Sequence, residues 1–135
     1  DMEAEGHTLT VEALQRVHAK KTSALIRAAV RTGALLGGAD NTQLDALTRY
    51  GEAIGLAFQI TDDILNVTGS EAAIGKPVGS DASKAKSTYP ALLGLDAARA
   101  RAAATVESAL ESLEAFGTEA ESFRALARYI TERDR

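Results

Sequence analysis

Two adjacent carboxylates, Asp62 and Asp63, follow the apolar run AIGLAFQI at a point where a buried helix would continue with hydrophobic residues. A buried charge without a partner is costly or takes up a proton, so we expect the pair to have a partner. Aspartates one and four positions apart on helices, with few other ligands nearby, suit Mg²⁺, which accepts one or two carboxylates along with water and phosphate oxygens. An ordinary charge cluster near a helix C-terminus is the alternative, although acids there oppose the helix dipole.

Several lysines occupy positions from which they could neutralise an anion held by that metal. Lys21 is predicted to lie on the apolar stripe of an amphipathic helix, where its ammonium must either reach water or meet an anion. Lys76, Lys84 and Lys86 follow the aspartates closely. A diphosphate bridged by Mg²⁺ would give Lys21, Lys76 and Lys86 one common partner. A solvated surface remains the alternative for any single loop lysine.

Composition excludes several classes of function. The formal net charge is −4, which offers no basic surface to a nucleic acid. The chain has no cysteine, and His7 and His18 are too far apart to indicate a zinc site. No apolar segment approaches the length of a membrane span, and the first residues do not resemble a signal peptide. We therefore expect a cytoplasmic protein without membrane insertion.

The first periodic segment predicts a helix over residues 11–36, with Thr10 as N-cap and an end at Gly37. One face is predicted to be buried and the other solvated. The predicted buried residues are Leu14, Val17, Leu25, Ala28, Ala29, Leu35 and Leu36, and the predicted solvated ones are Arg16, Lys20, Arg27 and Arg31.

A second helix is predicted over about residues 42–68, with Asn41 as N-cap and Gly69 as its end. Its segment AIGLAFQI is apolar almost all round, which indicates a central helix covered by neighbours. Gly51 and Gly55 predict that another helix or a ligand tail approaches closely. Residues 69–87 read as a long loop, and loops of this length are often lids or binding loops.

The remaining sequence predicts a short helix after Ser87 or Thr88, a longer one over about 96–116, and a last helix opened by a Thr118–Glu121 capping box. No segment has the alternation of a strand. We predict an all-α fold of about five helices in one domain, residues 1–135, without internal repeats.

Four segments of this sequence resemble one family. FQITDDILN is similar to the second aspartate-rich motif of the trans-type polyprenyl diphosphate synthases, and HAKKTSALI to their lysine-threonine segment. AIGKPVGSD resembles their diphosphate-binding loop. AKSTYPALLGLDAARARA is similar to a segment of the bacterial members that make farnesyl diphosphate. The resemblance covers essentially the whole chain.

This resemblance implies the isoprenoid synthase helical bundle, usually a homodimer, in which Mg²⁺ assists an allylic diphosphate (dimethylallyl or geranyl) to ionise. Isopentenyl diphosphate then attacks the cation, giving farnesyl diphosphate. It implies that Asp62 and Asp63 hold Mg²⁺, with Asn66 at the third motif position. Further implied roles are diphosphate binding for Lys21, Lys76 and Lys86, the reaction centre for Thr22 and Gln59, and an apolar wall for Phe58. The implied catalytic set is Lys21, Thr22, Gln59 and Asp62.

The sequence departs from the family pattern at two points. Asn66 replaces an aspartate and contributes a carbonyl oxygen without charge. The first aspartate-rich motif and its following arginines do not occur in this chain. We therefore expect the C-terminal half of a larger synthase domain, inactive alone. The alternatives are a geranylgeranyl or longer-chain synthase, and a non-catalytic helical subunit or adaptor whose apolar stripes bind a partner helix.

Overall fold

The computed structural model describes residues 10–74 and 87–133, and every regular element in these two stretches is helical. The α-helices are α1 (Val11–His18), α2 (Ala24–Leu36), α3 (Asn41–Ile74), α4 (Tyr89–Leu93), α5 (Leu95–Glu111) and α6 (Glu121–Glu132). The all-α prediction is confirmed for these stretches. Within the same residues, no helix is both long enough and apolar enough to cross a membrane.

The first predicted helix contains a π-helical turn, Ala19–Ser23, between α1 and α2. A π-turn inserts one residue, so every later residue takes the place that the preceding residue would have in a continuous α-helix, about 100° back round the axis. The prediction of the buried face is therefore wrong beyond the turn. Leu14 is buried and Val17 half-buried, whereas Leu25, Leu35 and Leu36 are 73%, 58% and 85% exposed, and Ala28 and Ala29 are exposed too.

The face of α2 that packs on α3 lies one residue later along the chain, at Ile26, Val30 and Ala34. The predicted solvated face is correct for Arg16, Lys20 and Arg27, which are exposed. Arg31 is half-buried instead, because its Nη1 donates to Thr48 Oγ1 of α3 at 2.7 Å. The π-turn thus decides which side of α2 faces the core.

The long helix α3 begins and ends differently from the prediction. Asp40 rather than Asn41 caps it: Gln43 N–H donates to Asp40 Oδ1 at 2.8 Å, and Asp40 N–H donates to Gln43 Oε1 at 3.0 Å. This reciprocal pair is a capping box, and its N-cap lies one residue before the predicted N-cap. The helix also continues past Gly69 to Ile74, so the predicted loop is wrong over residues 69–74. The rest of that loop, residues 75–86, lies outside the described residues.

Helix α3 is the central element, as its apolar segment predicted. It packs against α2, α5 and α6 along one part of its length and against α4 and α5 further on. The first core contains Tyr50, Ile54, Ala57, Val106, Ala109, Leu113, Ala127 and Ile130. The second contains Leu14, Ile60, Ile64, Tyr89, Ala98 and Ala102.

The two helix glycines allow α2 and the π-turn to lie directly on α3. A Cβ atom added at Gly55 would be 2.8 Å from Ser23 Cα and Oγ, and one added at Gly51 would be 3.3 Å from Arg27 Cα. No side chain fits at the first distance without movement of the backbone. The prediction of a close approach is confirmed, and within the described residues the partner is a helix.

The C-terminal elements agree with the prediction in outline. Thr88 is the N-cap of α4, because its hydroxyl accepts the Ala91 N–H at 3.3 Å. Helix α5 ends at Glu111, several residues before the predicted end.

The predicted Thr118–Glu121 capping box is wrong. A 3₁₀ turn, Thr118–Ala120, precedes α6, and the Glu121 carboxylate forms ion pairs with Arg124 and Arg128 on its own helix. The Gly117 N–H donates to Glu119 Oε1 instead, at 2.9 Å. Two arginines at helical spacing from Glu121 compete successfully for the carboxylate that the capping box would need.

Candidate functional site

The π-turn and the middle of α3 meet through one pair of polar side chains. Thr22 Oγ1 donates to Gln59 Oε1 at 3.3 Å, and both side chains are half-buried. This contact follows from the packing of Ser23 on Gly55, which is one helical turn before Gln59. Single π-turns inside helices are frequent at functional sites because they redirect a side chain locally. The structure therefore brings together two residues that the resemblance assigns to the reaction centre.

Lys21 precedes this pair and is exposed. The prediction that it lies on a buried apolar face is wrong: Lys21 lies inside the π-turn, where Thr22 and Ser23 contact α3 and the lysine side chain is exposed. Its role in binding a diphosphate stays a prediction. Lys76 and Lys86 lie outside the described residues, so their role in binding a diphosphate stays a prediction as well. His7 also lies outside them, and the exclusion of a zinc site there stays a prediction.

Asp62 faces outward and is paired with an arginine from the other end of the chain. Arg133 Nη2 donates to Asp62 Oδ1 at 2.8 Å, and 36% of the Asp62 side chain is exposed. The Arg133 guanidinium carbon also lies 4.4 Å from the centre of the Phe58 ring, which is one helical turn before Asp62. Phe58 and Asp62 thus form one side of a surface that a single cation covers.

Asp63 faces inward, away from its neighbour. It is 6% exposed, and its Oδ2 accepts the Tyr89 N–H at the start of α4, at 3.2 Å. Burial raises the pKa of this carboxyl from 3.8 to about 6. The hydrogen bonds from Tyr89 N–H and Gln59 lower the pKa but only partly offset the effect of burial, and the charge of the nearby Asp62 raises the pKa further. Desolvation of the charged form is the dominant cause.

Gln59 connects these two groups. Its carbonyl oxygen accepts from Thr22, and its side chain is also hydrogen-bonded to Asp63. An amide whose oxygen is engaged donates through its nitrogen, and a carboxylate accepts such a donor. The series Thr22, Gln59, Asp63 and Tyr89 N–H therefore links the π-turn, α3 and α4, and it fixes which end of the Gln59 amide faces Thr22.

The described residues can provide only part of a metal site. Asp62 and Asn66 lie four positions apart on the same side of α3, half-buried and exposed respectively, whereas Asp63 faces Tyr89. No group of three or more acidic or histidine side chains forms a metal cluster in the parts of the chain that the structure describes. One carboxylate and one amide oxygen fit Mg²⁺ held largely by water and phosphate oxygens. The metal roles of Asp62, Asp63 and Asn66 stay predictions.

A groove of about 740 Å³ between α3 and α5 lies on a different face of α3. Its charged lining residues are Arg49, Glu52, Arg101 and Glu111, two of each sign. Equal numbers of positive and negative side chains give the groove no preference for a diphosphate. None of the residues that line this groove belongs to the Asp62 site.

Sequence reasoning missed Arg133 and the π-turn. Arg133 is 71 positions from Asp62 and belongs to a short run of charges that reads as a solvated helix end. Only the fold brings it to α3. The π-turn has no signal in the hydrophobic pattern apart from the one-residue offset between the apolar positions of α1 and the true core positions of α2.

Comparisons with known proteins agree with the segments described above. The sequence profile of the family described as Polyprenyl synthetase matches residues 1–129. The farnesyl diphosphate synthase of Escherichia coli K12 is 47% identical over 139 residues, which cover 100% of this chain and 46% of that protein. This chain thus spans about half the length of the curated relatives it matches.

Two solved structures have the same helical arrangement. A decaprenyl diphosphate synthase from Rhodobacter capsulatus superimposes with a TM-score of 0.84 at 29% identity, over 99% of this chain and 54% of that one. A geranyltransferase from Helicobacter pylori, complexed with magnesium and isoprenyl diphosphate, gives a TM-score of 0.72 at 27% identity, over 98% of this chain and 44% of that one. The profile match, the sequence identity and the superposition lead to one conclusion: this chain belongs to the polyprenyl synthetase family.

Proposed function

We propose that this chain forms the C-terminal half of the active site of a prenyltransferase, which condenses isopentenyl diphosphate with dimethylallyl or geranyl diphosphate to give farnesyl diphosphate. The observation that carries the proposal is the contact between the π-turn and α3, where Thr22 donates to Gln59 at 3.3 Å with Phe58 and Asp62 within one helical turn. The 47% identity to the Escherichia coli farnesyl diphosphate synthase supports the choice of product. Because about half of such a protein is not represented in this chain, we expect the 135 residues alone to show negligible turnover.

In the proposed reaction the allylic carbon–oxygen bond breaks, and its electron pair leaves with the diphosphate. The double bond of isopentenyl diphosphate then attacks the allylic cation, and a proton leaves the new product to the released diphosphate. No protein side chain is needed as a general base. The task of the chain is to stabilise the charge that develops on the leaving group and to exclude water from the cation.

Asp62 and Asn66 are the outward-facing oxygen ligands of this chain for Mg²⁺, which neutralises the charge on the departing diphosphate when bound. The Helicobacter pylori relative, whose structure holds magnesium and isoprenyl diphosphate, supports this choice of metal. Lys21, Lys76 and Lys86 are proposed to bind the diphosphate. Asp63 contributes through its hydrogen bonds to Gln59 and Tyr89, and a direct bond to the metal would require it to leave them.

Thr22, Gln59 and Phe58 are proposed to surround the reacting carbon. The Gln59 carbonyl already accepts from Thr22, so both oxygens are directed toward one point between the π-turn and α3. Oxygen dipoles stabilise a cation without transferring a proton to it. The Phe58 ring adds an apolar surface whose π face attracts positive charge, as its stacking with the Arg133 guanidinium illustrates.

The length of the product is a finer proposal than the reaction itself. The relatives include a farnesyl synthase and a decaprenyl synthase, so the family match alone does not choose between them. We propose farnesyl diphosphate on the sequence identity, with a geranylgeranyl product as the alternative. A homodimer and a cytoplasmic location complete the proposal, both on the family resemblance.

The test replaces Asp62 by alanine in the full-length gene product. D62A is expected to lower condensation of radiolabelled isopentenyl diphosphate by at least about 100-fold, since it removes a metal ligand needed as the diphosphate leaves. N66D, which changes the neighbouring oxygen ligand and adds a charge, should preserve or increase turnover. Unchanged turnover in D62A would contradict the metal role. No turnover of the wild type with any allylic diphosphate would favour the helical adaptor instead.

A further inference from the structure

Arg133 is held at the Asp62 site from three directions. Its Nη2 donates to Asp62 Oδ1 at 2.8 Å, its guanidinium carbon lies 4.4 Å from the centre of the Phe58 ring, and its Nε donates to Ile130 O at 3.3 Å. Only 25% of the side chain is exposed. A planar guanidinium stacks on an aromatic face and pairs with a carboxylate at the same time, which a lysine ammonium does less well. The contact therefore favours arginine over lysine at position 133.

The position of this contact on the molecule is specific. Phe58 and Asp62 are one helical turn apart on α3, and Arg133 follows the last residue of α6. Phe58 is half-buried and packs at the edge of the first core, whereas Asp62 is half-buried and belongs to neither core. The ion pair therefore joins the end of α6 to the outward-facing side of the candidate site.

A divalent cation and a guanidinium cannot share this carboxylate without a cost. The repulsion between a dication and a guanidinium is twice that between two unit charges at the same distance. A carboxylate has a second oxygen, Oδ2, so both cations can approach it, but each then reduces the attraction available to the other. Metal binding at Asp62 must consequently displace Arg133 or act against its charge.

We propose that Arg133 is the resident counter-ion of Asp62 in the metal-free protein and that it competes with the divalent cation for this carboxylate. The inference deepens the proposed function and depends on its assignment of Asp62 as a metal ligand. Arg133 is a positioning residue in this scheme: it holds the carboxylate beside Phe58 before the metal arrives. It also keeps the affinity for free metal low until an anion arrives with the metal.

The test measures Mn²⁺ binding by electron paramagnetic resonance, without diphosphate, in the protein as its gene encodes it. R133Q keeps most of the side-chain volume and removes the charge. It is expected to tighten Mn²⁺ binding about twofold to fivefold, the upper part of the range for loss of one partly exposed ion pair. R128Q removes one charge from the same helix, where Arg128 pairs with Glu121, and should leave the affinity unchanged.

A second background shows whether the effect acts through Asp62. R133Q should tighten binding in the wild type but not in D62N, because the carboxylate for which the two cations compete is then absent. R133K keeps the charge but loses the planar stacking on Phe58, so its affinity should lie between those of the wild type and R133Q. Circular dichroism of each variant checks that its overall helix content equals that of the wild type.

Each outcome separates the inference from the proposed function. If D62N leaves Mn²⁺ binding unchanged, Asp62 is not a metal ligand and the proposed function loses its metal site. If D62N weakens binding but R133Q does not tighten it, the metal role stands and the competition by Arg133 is refuted. An equal tightening in R133Q and R128Q would also refute it, because the effect would then be one of net charge.

Discussion

Replacing Asp63 by asparagine should stabilise this protein at neutral pH, although it removes a residue of an apparent metal motif. Asp63 is 6% exposed and its pKa is raised from 3.8 to about 6 by burial. A shift of this size corresponds to about 3 kcal/mol of preference for the protonated acid in the folded state. Asparagine has nearly the same shape, carries no charge, and retains an oxygen that accepts the Tyr89 N–H.

The direction of the pH dependence follows from proton binding. Below pH 3.8 the carboxyl is protonated in both states and contributes nothing. As the pH rises from 3.8 to about 6, the unfolded state loses its proton while the folded state keeps it, so the wild type loses stability through this window. Above about pH 6 the loss stays constant. D63N does not titrate, so its advantage over the wild type should grow by about 2 kcal/mol between about pH 4 and about pH 7.5.

Urea unfolding followed by circular dichroism at several pH values measures this difference, in metal-free buffer. The NH₂ group of the new amide would face the Gln59 side chain, which donates to Asp63 in the wild type, and this contact between two donors costs some stability. That cost is independent of pH and cancels when the two pH values are compared. D45N removes a charge from an exposed position of α3 and controls for the change in net charge. A difference between D63N and the wild type that stays constant with pH would refute the reasoning.

Two further predictions test the packing that positions the site. G55A should destabilise the protein by about 1–3 kcal/mol in urea unfolding, because its Cβ would lie 2.8 Å from Ser23 Cα. G69A is its matched control, since nothing lies within 4 Å of a Cβ at that helical position, and it should stabilise by about 0.5–1 kcal/mol. Y50F should cost about 1 kcal/mol, since Tyr50 OH donates to Phe123 O at 2.8 Å and links α3 to α6. If G69A and G55A lowered the free energy of unfolding equally, the close-approach argument would be contradicted. If Y50F had the same free energy of unfolding as the wild type, the hydrogen bond to Phe123 would contribute nothing to stability.

The sequence predicted the elements of the fold better than their orientation. The apolar segment before Asp62 correctly indicated a central helix, and Gly51 and Gly55 correctly indicated a close helix contact, because both signals depend on local composition. The orientation of α2 could not be predicted, since one inserted residue in a π-turn shifts its core positions by one residue without changing the residue types. Leu25 and Ile26 are equally apolar, and only the turn decides which of them packs against the core.

In the candidate site, too, the sequence predicts some contacts and not others. The pairing of Thr22 with Gln59 could be expected from the resemblance, whereas the pairing of Arg133 with Asp62 depends on how α6 returns to α3. Contacts between residues this far apart in sequence follow from helix packing, which no local pattern encodes. A charged residue at a helix end reads as solvated by default, so the sequence gives no reason to single out Arg133.

The two aspartates of the motif are neighbours in sequence but occupy different environments because of helix geometry. Consecutive residues on a helix lie about 100° apart, so only one of an adjacent pair on a central helix can face outward while the other meets a neighbouring element. Asp62 takes the outward position and is paired with Arg133; Asp63 takes the inward one and meets the Tyr89 N–H. A buried carboxylate needs hydrogen-bond donors, and Asp63 accepts from the Gln59 side chain and from the Tyr89 N–H at the start of α4, which fixes both groups. The motif thus combines a half-buried carboxylate paired with a distant arginine and a buried carboxylate that fixes the amide beside it.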